Sequence, residues 1–158
     1  MKRLMKLMVL SLVAMVAVAG CNDKGKSAVV PKPQPVKMPS VVVVPESVKG
    51  QWKAVKIAVA DKNSHSEKLY TIGIGSQLKL PGSSLTLAVD NFLPHFVMEG
   101  TTLTSQSNKL ENPAAQVRIL EGDREIYKGW LFTLYPTTHA FQHPQYGFTL
   151  VGYVPAKS

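Results

Sequence analysis

The sequence predicts an all-β domain, a single antiparallel β-sandwich or small barrel of about eight strands, carried behind an N-terminal portion of different character. Three observations lead there. Apolar residues recur with a period of two over most of residues 50–158, turn-forming residues punctuate them at short intervals, and no stretch long enough for a helix shows convincing helical spacing with caps. Many short strands with frequent turns favour two packed sheets or a closed one over any layered α/β arrangement.

Taken in order, Val55, Ile57 and Val59 alternate with Lys56 and Ala58, and Tyr70, Ile72 and Ile74 alternate with Thr71 and Gly73. Both stretches read as half-buried strands, and Asp61-Lys62-Asn63-Ser64 supplies a loop between them. Leu85, Leu87 and Val89 alternate with Thr86 and Ala88, behind a Pro81-Gly82-Ser83 turn that separates them from Leu78 and Leu80. Further strands are expected at Phe96 to Met98, Thr101 to Ser105, Gln116 to Leu120, Ile126 to Phe132 and Phe148 to Val154. Glu121-Gly122-Asp123-Arg124 reads as a hairpin turn. Asn112 before Pro113 is biased toward extended backbone and leads into the next strand.

The composition changes near residue 50. Residues 22–49 hold five prolines (Pro31, Pro33, Pro35, Pro39, Pro45) and several lysines, whereas all twelve aromatic residues lie at or after Trp52. Residues 21–49 therefore read as a tether and residues 50–158 as one domain, long enough for a single core of ordinary size. Pro-Lys-Pro-Gln-Pro favours extended polyproline II, about 3.1 Å per residue where it forms. Val41 to Val44 is an apolar exception, read as an added edge strand in preference to a segment laid along the domain.

Residues 1–20 have the three parts of an export signal. Lys2, Arg3 and Lys6 form a basic start, Leu7 to Ala19 an apolar run, and small residues precede Cys21. The run is short of the roughly 20 residues that span a bilayer, so it reads as removable. Val18-Ala19-Gly20-Cys21 resembles the lipobox of bacterial lipoproteins. That resemblance implies a covalent lipid on the Cys21 sulfur, cleavage before it, acylation of the new amino terminus, and a membrane as the chain's first partner. Each buried methylene contributes about 0.8 kcal/mol and a single chain binds only marginally, so several chains would hold the protein to a membrane almost permanently. Asn22 stands where an Asp favours inner-membrane retention in enteric lipoproteins, and the reading favours the outer membrane, facing the periplasm. Cys21 is the only cysteine, so its modification leaves no thiol for a disulfide, a thiolate metal site or a nucleophile.

The net charge of +8 divides into +3 in the signal, +3 over residues 21–49 and +2 over residues 50–158, where ten basic residues face eight acidic ones. A nearly balanced domain offers no basic stripe, and nucleic acid is not expected as a partner. Lysines close to the anchor would sit against anionic head groups or serve as solubilising charges.

Eight of the twelve aromatics lie between Tyr127 and Tyr153, together with His139 and His143. Rings at this density build a core or a recognition surface. Core packing is expected first for Trp130, Phe132 and Phe148, and the candidate recognition surface comprises Trp130, Tyr135, His139, His143 and Tyr146. An envelope protein is the expected partner of that surface.

Ile126-Tyr127-Lys128-Gly129-Trp130-Leu131-Phe132, then Pro136, then His143-Pro144-Gln145-Tyr146, resembles the C-terminal signature of an uncharacterised family of exported bacterial proteins. Leu131 replaces that family's usual methionine, and the cysteines of some members are missing. The resemblance is carried by this C-terminal stretch, with weaker agreement before it, and implies an exported β-rich domain without an assigned activity. Over Leu78 to Phe132, Val89-Asp90-Asn91-Phe92-Leu93-Pro94-His95-Phe96 and Gly129-Trp130-Leu131-Phe132 are similar to the extracytoplasmic β-domain of ResB-like cytochrome c assembly proteins. A role as an accessory factor in extracytoplasmic assembly, such as cytochrome c maturation, is the alternative this implies.

Catalytic residues are not expected. No Gly-x-Ser-x-Gly occurs, and Gly73-Ile74-Gly75 lacks the third glycine of a dinucleotide loop. His139 and His143 are four apart, but Pro144 follows and no glutamate lies between them. A metal-dependent hydrolase using them, with His95 as a distant third ligand, is the remaining enzymatic reading, beside an acid/base pair of Asp90 and His95. No metal or other cofactor is expected apart from the lipid on Cys21. Glu121, Asp123 and Glu125 read as a solvated turn.

Overall fold

The computed structural model describes residues 39–138 and 140–157. Ten strands and no helix occur among them: β1 (Val41–Val42), β2 (Trp52–Asp61), β3 (Ser66–Gly73), β4 (Ser76–Lys79), β5 (Leu85–Leu93), β6 (Phe96–Glu99), β7 (Thr102–Ser105), β8 (Ala114–Glu121), β9 (Arg124–Phe132) and β10 (Tyr146–Pro155). The fold is all-β and sandwich-like. Eight of these strands lie where the sequence places strands, β1 falls within the Val41 to Val44 run expected as an edge strand, and the four-residue β4 is the addition.

Two sheets face one another across the core. One has the order β10-β2-β3 and the other β4-β5-β8-β9, with every pairing antiparallel. Val55, Ile57, Val59, Ile72, Phe148 and Leu150 from the first pack against Leu85, Leu87, Val89, Phe92, Ala115, Val117, Ile119 and Leu131 from the second. Ile57, Leu87, Val89, Val117 and Ile119 are wholly buried. Because residues paired across strands share a face, the alternation of β2 and β5 sends one residue in two to this core. Burying a Leu or Ile side chain stabilises by about 1.5–3 kcal/mol, which is how a domain without disulfides holds together.

Tight turns make the architecture regular. The β8–β9 hairpin closes through Gly122-Asp123, with Gly122 at φ 59, the left-handed conformation that two-residue hairpin turns need. Glu121 accepts a 2.8 Å hydrogen bond from Arg124 across the same turn. The β2–β3 hairpin is capped by Asp61, whose Oδ1 accepts the Asn63 N–H at 2.9 Å, and His65 completes it at φ 51.

A third sheet, β1-β7-β6, is seated on the far face of the four-stranded sheet through Phe96, whose ring meets Trp130 at 5.0 Å and Phe132 at 5.1 Å, edge to face. Val41–Val42 pairs with β7 in parallel, the only parallel strand pairing among the described residues, and Thr104 donates a 2.8 Å hydrogen bond to the Val43 carbonyl. Val48, further along the same stretch, is only 3% exposed. Residues 41–48 thus pack on the domain they precede.

Candidate functional site

The aromatic residues of the C-terminal third are divided by strand geometry among three places. On β9, Tyr127, Gly129 and Leu131 pair with Ile119, Val117 and Ala115 and share their inward face, while Trp130 and Phe132 pair with Gln116 and Ala114 on the outward face. Phe148 lies in the main core at 6% exposure. Trp130 and Phe132 lie half-buried outside it, under Phe96. Tyr135 is 57% exposed on the connection from β9 to β10. His139 lies outside the described residues, as does Cys21.

Phe96, Met98, Leu103, Tyr127, Trp130 and Phe132 line an open apolar groove of about 410 Å³, with Lys128 and Thr138 at its rim. Register explains the composition. Leu103 pairs with both Val42 and Met98, so that face of the third sheet is apolar where it overhangs β9. Met98 is 63% exposed, unusual for a side chain on the apolar face of a strand. Among the described residues β9 is the edge of its sheet, and Tyr127, Lys128, Gly129, Trp130 and Phe132 from it line the groove. Burial pushes the Tyr127 phenol above its ordinary pKa, so it stays neutral.

His143 and Tyr146 lie elsewhere. Tyr127 packs on Phe141 at 4.8 Å, Phe141 approaches His143 at 5.8 Å, and His143 approaches Tyr146 at 5.4 Å, a row of rings that leads away from the groove. His143 Nδ1 accepts the backbone N–H groups of Gln145 (3.2 Å) and Tyr146 (3.1 Å). That geometry puts the proton on Nε2 and gives the ring a turn-holding role. Lys62 clips the same turn, donating from Nζ to the His143 carbonyl at 2.7 Å and from its N–H to the Gln145 carbonyl at 2.8 Å.

Tyr146 lines two adjoining polar clefts of about 270 and 170 Å³ at the open mouth between the two main sheets. The larger is formed by Asp61, Ser64, Ser66, Lys68, Tyr70 and Gln145 against the Leu80-Pro81-Gly82 turn. Burial pushes the Asp61 carboxyl up, but hydrogen bonds from the Asn63 N–H, from Ser64 and from the Gln145 amide outweigh it and leave its pKa below the ordinary carboxylate value.

Asp90 and His95 have separate partners. Arg118 makes three hydrogen bonds of 2.8–3.0 Å to Asp90, and that carboxylate's bonds and charge hold the guanidinium protonated more firmly than usual. His95 Nδ1 lies 3.2 Å from Ser107 Oγ and 3.6 Å from Glu111 Oε2. A hydroxyl–imidazole–carboxylate relay needs acid and hydroxyl on opposite ring nitrogens, and here both approach one. Among the described residues no three His, Cys, Asp or Glu side chains come together to hold a metal ion. No family model, no curated protein and no solved structure matches this chain.

The groove and the mouth each contain residues that sequence reasoning did not single out. For the groove these are Phe96, Met98 and Leu103. For the mouth they are Asp61, Ser66, Lys68 and Tyr70, and the available signal was Lys68, which sits two residues before Tyr70 and so on the same face of its strand.

Proposed function

We propose that the chain is a membrane-anchored lipoprotein of the bacterial cell envelope whose β-sandwich is a non-catalytic binding domain, and that the groove beside β9 receives an extended apolar segment of a partner protein. The groove carries this reading: six apolar or aromatic side chains surround an open volume of about 410 Å³ beside β9, the edge strand of its sheet among the described residues. A strand laid along β9 would gain main-chain hydrogen bonds from the edge and seat alternate side chains between Phe96, Met98 and Trp130. Lipid on Cys21 and a proline-rich spacer support the placement, because they would hold such a domain at a membrane surface while leaving it free to meet protein partners.

The test is site-specific photo-crosslinking in cells from position 98, with position 151 as comparison, since Val151 is also exposed but lies on β10. A discrete adduct from position 98 alone, lost when Trp130→Asp places a charge in the groove, is expected. Equal adducts from both positions, or none from position 98, would refute the reading.

A further inference from the structure

The mouth of the sandwich is built differently from the rest of its interior. Along the inner face of the β10-β2-β3 sheet, register makes three successive rows: Leu150–Ile57–Tyr70, then Phe148–Val59–Lys68, then Tyr146–Asp61–Ser66. The first row belongs to the core, and the last is wholly polar or amphipathic. A strand face that runs from Ile and Leu to Asp, Ser and Lys ends in a concave cleft, closed on its far side by Leu80, Pro81 and Gly82.

Several groups here keep hydrogen-bonding capacity to spare. Gln145 Nε2 reaches both Asp61 carboxylate oxygens at 3.4 Å, while the backbone N–H groups of Asn63 and Ser64 bond Oδ1. Lys68 has no ion pair, and the hydroxyls of Tyr70 and Tyr146 have no hydrogen bond, among the described residues. The backbone beneath them is fixed by the Lys62 and His143 bonds to the 143–146 turn. A cleft lined by convergent donors and acceptors is how small-ligand sites are made, and about 270 Å³ lies just below the roughly 300 Å³ at which their range begins.

The lining selects the ligand class. One carboxylate and one ammonium balance, so the cleft has no field for a polyanion or a polycation, and in the adjoining cleft Glu121 is already paired with Arg124. The other polar groups are hydroxyls and an amide, which exchange donor and acceptor roles with vicinal hydroxyls. Tyr70 and Tyr146 add ring faces for apolar C–H surfaces. We propose that this mouth, formed by Asp61, Ser66, Lys68, Tyr70, Gln145 and Tyr146, binds a neutral oligosaccharide. A sugar ring would lie against Tyr146, with Asp61 and Gln145 taking adjacent hydroxyls and Lys68 donating to a third oxygen.

Titration of the isotope-labelled full chain with chitotetraose and, in parallel, maltotetraose tests this by amide chemical shifts. Saturable shifts centred on residues 61–70 and 145–146, with a dissociation constant of about 1 mM or tighter, are expected for at least one of them. Asp61→Asn preserves side-chain shape and Tyr146→Leu removes the stacking ring, and each is expected to weaken that binding at least about fivefold, while Val151→Ser leaves it unchanged. Absence of saturable shifts up to about 10 mM with both probes, shifts centred on the Phe96–Trp130 groove, or variants that bind like the parent would overturn the proposal. The site lies apart from that groove, so either reading can fail without the other.

Discussion

Adding one methyl group at Gly129 tests the packing of β9 directly. Gly129 occupies the inward face opposite Val117, and the Tyr127 ring folds back over it. A Cβ at position 129 would overlap the Tyr127 hydroxyl, and Cε2 of the same ring would be 3.1 Å away. The ring cannot simply retreat, because Phe141 stacks on it at 4.8 Å and is itself backed by Phe148 at 6.2 Å. Inserting volume into such a site costs about 1–3 kcal/mol. Against this, Gly129 does not use a left-handed φ, so alanine there restricts the unfolded chain and returns about 0.4–1 kcal/mol. Gly129→Ala is therefore expected to destabilise by about 1–2 kcal/mol, a shift of roughly 0.5–1 M in the urea midpoint at ordinary m-values. Removing the ring reverses the sign: in a Tyr127→Ala background the same change should stabilise by about 0.5 kcal/mol. The two substitutions would then couple by about 2 kcal/mol in a double-mutant cycle. Urea unfolding followed by tryptophan fluorescence reads all four proteins, and equal costs of Gly129→Ala in both backgrounds would refute the seating of Tyr127 over Gly129.

Three further outcomes follow from the same geometry and sequence. Val48→Ala should lower stability by about 1–3 kcal/mol in urea unfolding, because Val48 is 3% exposed although it precedes the compositional boundary at residue 50. Asp61 has a folded pKa below its unfolded value, so its contribution to stability is present above about pH 4 and is lost as pH falls through the folded value. Acid unfolding of Asp61→Asn should accordingly show a shallower loss of stability below about pH 4 than the parent, and identical acid limbs would contradict the hydrogen-bonded carboxylate. Cys21→Ser should abolish incorporation of labelled palmitate and leave the precursor uncut, seen as a larger species on a denaturing gel; labelling or normal processing that persists in the variant would count against the lipobox reading.

Strand positions are legible in the sequence because an antiparallel sheet with one buried face imposes a period of two, and Val55-Ile57-Val59 and Leu85-Leu87-Val89 carry it plainly. Two short strands carry no such signal. In β4 only Leu78 marks the inward side, and β1 stands out by its apolar valine run alone, which marks an edge strand without saying which strand it joins. The division into three sheets is not legible either. It depends on β6 and β7 folding back over the far face of β9, a contact between segments distant in sequence that no local pattern records.

The candidate sites are harder to read for a related reason. In Ile126-Tyr127-Lys128-Gly129-Trp130-Leu131-Phe132, apolar residues fall on both faces, so period alone cannot say that Leu131 enters the core while Trp130 and Phe132 leave it. In Ser66-Glu67-Lys68-Leu69-Tyr70 the difficulty is reversed: Leu69 is 60% exposed on the outer face, and Lys68 shares the inner face with Val59. Alternation assigns a parity to each residue, and pairing with a neighbouring strand decides which parity is buried. Both proposed surfaces arise where polarity inverts relative to the remainder of a face. The outer face of the four-stranded sheet turns apolar at Trp130 and Phe132, and the inner face of the other sheet turns polar at Lys68, Asp61 and Ser66. Each inversion has a structural cost, half-exposed rings in one case and polar groups bordering the core in the other, and a bound partner would offset both.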